Sequence, residues 1–322
     1  MKRILVTGAT GQIGSELVPV LRDKYGRDNV VAAGHRRKPE DEFIDSGPYE
    51  TIETTDAESI SALVKKYKID TIYHLAALLS AKAEENPQLA WHINMNGLQT
   101  VLEVARHHHC ALFFPSSIGA FGPSTPPDNT PQVTIQRPNT LYGITKVAGE
   151  LLCDYYFKKY DIDIRGVRFP GLISYKTLPG GGTTDYAVEI FYAAVKNEPY
   201  RCFLKEGTCL DMMYMPDAIR AVIELMEADA RILTHRNAYN ITAMSFTPDQ
   251  LYASIKKELP DFSITYEVDP IRQEIADSWP HKMDDSAARA EWGWQPEYDI
   301  ESMTKDMIEK LRKEVSNVTG KA

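Results

Sequence analysis

The stretch Gly8-Ala9-Thr10-Gly11-Gln12-Ile13-Gly14 constrains this chain more than any other. It follows at once on Arg3-Ile4-Leu5-Val6-Thr7, a β-prone run of the kind that forms a buried strand. It leads directly into Ser15 to Tyr25, whose apolar spacing reads as a helix. Glycines at this spacing mean little alone, but between a strand and a helix they are a strong dinucleotide signature. They permit a tight turn and close approach of a pyrophosphate, whose charge meets the helix N-terminus. Gly8, Thr10, Gly11, Gln12, Ile13 and Gly14 are therefore expected cofactor contacts, the plain alternative being a glycine turn with no ligand.

The same alternation continues. Strands are expected at Asn29 to Ala33, Thr51 to Thr54, Thr71 to Ala77 and Ala111 to Phe114, with helices at Ile60 to Tyr67 and Pro87 to His107. Short joints between strands and helices imply an α/β fold: a doubly wound parallel (Rossmann) sheet, with ligands beyond the carboxyl ends of its strands. Gly8, the segment His74 to Ala77, and Ser117 should then line one crevice. A fold of this kind usually ends its second strand with an acid that hydrogen-bonds the adenosine ribose, which selects NAD. Here Gly34 holds that place, followed by His35-Arg36-Arg37. These cations could admit the extra phosphate of NADP or could be solvated, so the cofactor is open on this evidence.

Composition enters mainly by exclusion. A net charge of -9 with no basic stripe argues against a nucleic-acid partner. No run of about eighteen apolar residues is present, so no membrane helix is expected. Met1 to Val6 begins like a signal peptide, but glycines and polar residues follow where an apolar segment is needed. The 4 cysteines show neither metal spacing nor disulfide density, and a reduced, cytoplasmic protein is expected. His107-His108-His109 would point in different directions on a helix, and no metal is expected there.

In the second half, Ile162 to Phe169 reads as a sixth strand, and Pro170 to Ser174 leaves the sheet. Leu178 to Ala187 is a glycine loop carrying two hydroxyls and a carboxylate as a helix begins. It reads as a small polar clamp around Gly182, with Asp185 suited to an ammonium and Thr183 and Thr184 to a carboxylate, or as a loop ending in an N-cap at Thr184 or Asp185. A nucleotide diphosphate would call for arginines, and none is in the loop. The expected division is a dinucleotide domain over 1–170 to which 210–240 returns, and an interleaved substrate lobe over 171–209 and 241–315, with 316–322 a frayed tail. Tyr239 to Ile241 and Ser263 to Glu267 read as short strands of the smaller lobe.

Tyr142 and Lys146, four residues apart, share one helical face if a helix begins near Pro138. The ammonium beside the phenol should lower its pKa from about 10 and make Tyr142 a general base.

With the glycine turn, the segments His74 to Ala77, Asn94 to Gly97, Ser116 to Gly122 and Tyr142 to Lys146 resemble the extended short-chain dehydrogenase/reductase superfamily, which includes nucleotide-sugar epimerases. The resemblance spans nearly the whole chain. It implies Ser117, Tyr142 and Lys146 as the catalytic set, Ser116 as a neighbour that binds substrate, and cofactor contacts by Leu75, Ala76, Ala77, Asn94, Tyr142, Lys146, Pro170 and Leu172. Within that superfamily the glycine loop, Ala77 to Ala81, Arg168 to Gly171, Pro270 to Pro280 and Asp284 to Arg289 resemble the short-chain type of L-threonine 3-dehydrogenases. This implies NAD-dependent oxidation of L-threonine to 2-amino-3-oxobutyrate in threonine catabolism, with substrate contacts by Ser80, Ser117, Tyr142, Thr183, Thr184 and Trp279. It also implies a homodimer formed through helices 88–107 and 145–160. Gly34 departs from the pattern. NAD is still favoured, because Glu53-Thr54 fits the family's adenine-contacting pair, with His35 and Arg36 nearby, but NADP is not excluded. The alternative on the same scaffold is a nucleotide-sugar epimerase or dehydratase.

Overall fold

Strands β1 (Ile4–Thr7), β2 (Val30–Gly34), β3 (Tyr49–Thr51), β4 (Thr71–His74), β5 (Ala111–Ser117) and β6 (Ile164–Phe169) form a parallel sheet. They come from a computed structural model that describes residues 1–36, 39–177 and 180–319. Arg37, Lys38, Leu178, Pro179 and residues 320–322 lie outside the described residues. Sheet order is β10-β6-β5-β4-β1-β2-β3, where β10 is Tyr239–Asn240. The chain therefore runs outward from β1 in one direction and from β4 in the other, so the sheet switches direction between them. The register Thr7↔His74 brings the two carboxyl ends together there, where such sheets bind ligands.

Both sheet faces are covered, which is why β1, β2 and β4 are buried along their whole length. Helix α1 (Gln12–Tyr25) packs Leu17, Val18 and Leu21 on one face, together with α6 (Met215–Glu227). The other face is covered by α2 (Ala57–Tyr67) and by α3, which runs through Pro87–Trp91 and His92–Asn96 to Gly97–His108. Helix α4 (Leu141–Tyr160) also lies on that face, and contributes Cys153 and Tyr156 to its core.

The second half adds β7 (Gly171–Ile173), β8 (Tyr200–Cys202), β9 (Leu210–Tyr214), β11 (Met244–Phe246) and β12 (Ile264–Tyr266). They pair as two small sheets, β11-β9-β7 and β12-β8. Helices α5 (Tyr186–Val195) and α7 (Ile300–Thr319) close a separate apolar core around Phe191, Leu210, Phe246, Met303 and Met307.

Four expectations need correction. The third strand is Tyr49–Thr51 rather than Thr51 to Thr54, which leaves Glu53 and Thr54 beyond its end. Tyr239–Asn240 joins the edge of the large sheet, not the smaller lobe, because it pairs with Val167 and Arg168 of β6. The expected helix over 87–107 is interrupted by a π turn at His92–Asn96. The turn presents Asn94 inward, where Oδ1 accepts from Leu78 N at 2.8 Å and Nδ2 donates to Leu78 O at 3.1 Å and Thr145 Oγ1 at 3.2 Å. Such bulges often mark functional sites. The last helix continues to Thr319, so 316–319 are helical rather than frayed.

Asp211 of β9 is buried and ties the small sheet to the segment after Trp279. Thr242 Oγ1 donates to its Oδ1 at 2.5 Å and Met283 N to its Oδ2 at 2.8 Å. Burial outweighs both bonds and pushes the carboxyl up to about 7, with Asp285 adding and Lys282 opposing. A carboxyl raised in the folded state contributes stability in acid that is lost as pH rises from about 4 toward about 7. Asp211→Asn keeps both bonds if the Thr242 hydroxyl reverses, and it cannot ionise. We expect thermal unfolding at about pH 8 to show the variant more stable than wild type by about 1–3 kcal/mol, with the order reduced or reversed near pH 5. A stability difference independent of pH would contradict this.

Candidate active site

The site begins at the turn after β1. Gly8 has φ +68°, and a Cβ there would lie 2.7 Å from Ala76 N and 2.8 Å from Leu75 C. A Cβ on Gly14 would lie 2.5 Å from Gly8 O. Glycine at these two positions lets α1 start directly against the backbone after β4. Gly11 precedes α1 and no side chain caps it, which leaves the first amides of the helix for an anion. The turn thus fits the pyrophosphate of a dinucleotide. Thr10 lies in this turn, next to Gly34.

At the outer end, His35 Nε2 and Glu53 Oε2 stand 3.2 Å apart, both side chains well exposed, and Arg36 is exposed beside them. Thr54 of the expected adenine pair is buried, with its hydroxyl against Gly97.

The catalytic end is built where α4 meets β5. Thr140 caps α4, its Oγ1 accepting from Gly143 N at 3.1 Å, so the helix starts at Leu141 rather than near Pro138. A Cβ at Gly143 would come within 2.2 Å of Gly119 O. That glycine lets the first turn of α4 sit on the loop after β5 and brings the Tyr142 phenol against Ser117. Ser117 Oγ accepts from Gly119 N at 3.1 Å.

Lys146 reaches back to the same strand and donates from Nζ to Pro115 O at 2.6 Å. Its ammonium is 5.4 Å from the Tyr142 ring centre and 5.0 Å from that of Phe114.

The expected depression of the Tyr142 pKa is absent in this structure. Burial raises the phenol from its ordinary value to about 12, and the Ser117 hydroxyl only partly opposes it. Burial also brings Lys146 down to about 8, against the pull of Glu150. The spacing supplies proximity, but loss of water penalises both charged forms and dominates. His74, whose Nδ1 is 2.9 Å from Thr7 Oγ1, is lowered to about 3 by burial and by Lys146, and stays neutral.

Gln12, Ile13, Leu75, Ala77, Ser80, Ser116, Ser117, Tyr142, Lys146, Pro170, Leu172, Gly182, Thr183, Thr184, Asp185 and Trp279 line one crevice. Ala76 and Asn94 border a small adjoining cavity with Lys146. Two residues act differently from expectation. Ser116 Oγ donates to Glu150, which engages it within the protein rather than offering it to substrate. Asp185 Oδ2 accepts from Gly181 N at 2.7 Å and Gly182 N at 2.6 Å. It therefore shapes its own loop and does not cap α5, while burial raises its pKa.

Sequence reasoning missed the base of the site. Buried Glu150 accepts from Arg168 Nε at 3.0 Å and Nη2 at 2.8 Å, and from Gln136 Nε2 at 3.0 Å. It lies four residues beyond Lys146 on α4, so the helical spacing was a signal that could have found it.

This fold and site define a dinucleotide-dependent enzyme with a tyrosine-lysine pair. The sequence profile of the NAD dependent epimerase/dehydratase family matches residues 4–242, and the chain belongs to that family. A relative from Staphylococcus saprophyticus, described as an uncharacterized epimerase/dehydratase, is 55% identical over 311 residues, covering 97% of each chain. The structure of an L-threonine dehydrogenase from Clostridium difficile is similar, with a TM-score of 0.96, 57% identity and 98% of both chains covered. An L-threonine dehydrogenase of Cupriavidus necator in its holo form gives 0.93 and 51%, covering 96% of this chain and 99% of that one.

Proposed function

We propose that this chain oxidises L-threonine to 2-amino-3-oxobutyrate, with NAD as the hydride acceptor and Tyr142 as general base. The observation that carries the reading is the crevice itself. Thr183, Thr184 and Ser80 line it together with Ser117 and Tyr142, and Lys146 is the sole cation among its described lining residues. That lining suits a small amino-acid alcohol and lacks the arginines that a nucleotide diphosphate would call for. The two L-threonine dehydrogenases reported above support the same substrate.

The Gly8–Gly14 turn, Leu75 to Ala77, Lys146, Pro170 and Leu172 would hold the dinucleotide, which supplies a positively charged ring able to accept a hydride. The residues of the chain do the rest. Tyr142, as phenolate, removes the proton of the substrate hydroxyl. Ser117 hydrogen-bonds the reacting oxygen and holds it against the phenol. Lys146, anchored on Pro115 O, keeps a positive charge beside the base and favours its ionised form. Thr183 and Thr184 orient the carboxylate, and the shaped glycine loop sets their position. General-base assistance of this kind contributes about a hundred- to ten-thousandfold.

A nucleotide-sugar epimerase would return its cofactor to the oxidised form in each cycle. The test is formation of reduced cofactor in excess over enzyme. We expect it with L-threonine and not with a nucleotide sugar, and the opposite pattern would overturn the assignment.

The same reading has the chain working in the cytoplasm as a homodimer. No helix among the described residues is long and apolar enough to cross a membrane. Helix α4 exposes Ile144 (43%), Leu151 (63%) and Tyr155 (46%), close in sequence spacing to one stripe, while the start of α3 exposes Leu89 and Trp91. Apolar side chains in such a stripe are a natural pairing face. Light scattering should give twice the chain mass, and a single-chain mass would count against it. Activity recovered in the membrane fraction of lysed cells would contradict the location.

A further inference from the structure

Gly34 ends β2 where an acid would ordinarily hold the adenosine ribose. The space beside it is occupied. A Cβ built at Gly34 would lie 2.2 Å from the Tyr49 hydroxyl oxygen, 3.2 Å from its Cζ and 3.3 Å from Thr10 Cγ2. Tyr49 belongs to β3 and pairs in register with Ala32, two residues before Gly34 on the same face of β2. From that position its ring leans along the sheet until the hydroxyl reaches the strand end beside the glycine turn. Phe43 meets the ring edge-on, 6.5 Å between centres. Among the described residues no group hydrogen-bonds the Tyr49 hydroxyl. Glu53, the carboxylate just beyond β3, faces His35 instead.

We propose that the Tyr49 hydroxyl takes the place of the missing acid: it hydrogen-bonds the adenosine ribose and, being neutral, leaves that end of the site open to a 2′-phosphate. The inference rests on the dinucleotide reading of the Gly8–Gly14 turn. A phenol can donate to or accept from either ribose hydroxyl. It carries no negative charge to repel a phosphate, and the exposed side chains of His35 and the cation Arg36 follow directly. Gly34 and Tyr49 thus act as a unit: the absent side chain makes room for the hydroxyl, and the hydroxyl denies room to an acid. NAD and NADP then both bind, and the pair Gly34/Tyr49 sets their ratio.

The test is titration of the purified protein with NADH and with NADPH, followed by nicotinamide fluorescence in the absence of any second substrate. Wild type should bind the two within about tenfold of each other. Tyr49→Phe, which keeps the ring and its packing, should weaken NADH about fivefold through loss of one hydrogen bond. Gly34→Asp combined with Tyr49→Phe clears the 2.2 Å contact and installs the acid. That double variant should keep NADH and weaken NADPH at least about a hundredfold relative to it. The proposal is overturned if Tyr49→Phe leaves NADH affinity unchanged, or if wild type already rejects NADPH as strongly as the double variant does. Failure of wild type to bind either dinucleotide would instead overturn the dinucleotide reading itself.

Discussion

Tyr142→Phe should bind the dinucleotide as wild type does while turning over L-threonine about a thousandfold more slowly. The ring is buried, lies in an apolar cluster with Ala83 and Ala90, and packs on Gly119, and phenylalanine preserves all of that. Only the oxygen is lost, so the fold and the glycine turn stay as they are. Turnover falls because the other nearby groups are poor bases for that proton: the Lys146 ammonium donates to Pro115 O, and burial lowers His74 to about 3 with its Nδ1 turned to Thr7. The pH profile should change with it. Burial holds the unliganded phenol at about 12, so the reactive ionised form grows with pH and kcat/KM of wild type should rise from neutral into alkaline pH. The variant should lack that alkaline rise. Wild-type turnover in Tyr142→Phe, or an unchanged pH limb, would remove the tyrosine from the role of base.

The second large effect is on stability. Arg168→Met should destabilise the fold by about 3–5 kcal/mol, because it strands the Glu150 carboxylate in the interior. Arg168 meets Glu150 through Nε and Nη2, and its Nη1 donates to Gln132 O at 2.9 Å and Asn240 Oδ1 at 3.0 Å. The guanidinium therefore joins β6, α4 and β10 beneath the catalytic residues. Both side chains are buried, so screening by water is slight. Methionine fills most of the volume but satisfies none of these acceptors. Adding Glu150→Gln removes the stranded charge and should recover a large part of the loss, which urea unfolding of the two single variants and the double would show. A loss under about 1 kcal/mol in Arg168→Met would mean that the pair behaves as an exposed one.

The glycine turn, the alternation of strands and helices, and the Tyr142–Lys146 pair were legible because each depends on local signals: spacing, strand-to-helix joints and turn residues. The catalytic role of Ser117 was reached only through the resemblance of Ser116 to Gly122 to the superfamily. What escaped depends on partners distant in sequence. Tyr239–Asn240 is too short to show a period, and its place at the sheet edge is set by β6. The π turn at His92–Asn96 leaves an apolar pattern that still looks helical. Ser116 reads as a free hydroxyl until Glu150 is seen beside it. Spacing placed Lys146 near Tyr142, but the balance between attraction and desolvation needed the burial of both. Tyr49 and Gly34 are brought together only by strand register.

In the function proposed above, hydride leaves the hydroxyl-bearing carbon of L-threonine in the crevice that Tyr142 and Thr184 line. L-Threonine deuterated at that carbon tests it most directly, with the reduced cofactor analysed by mass spectrometry. Deuterium should appear in the nicotinamide ring, and turnover should be slower than with ordinary threonine. Reduced cofactor without deuterium, or no reduced cofactor from threonine with either NAD or NADP, would contradict it.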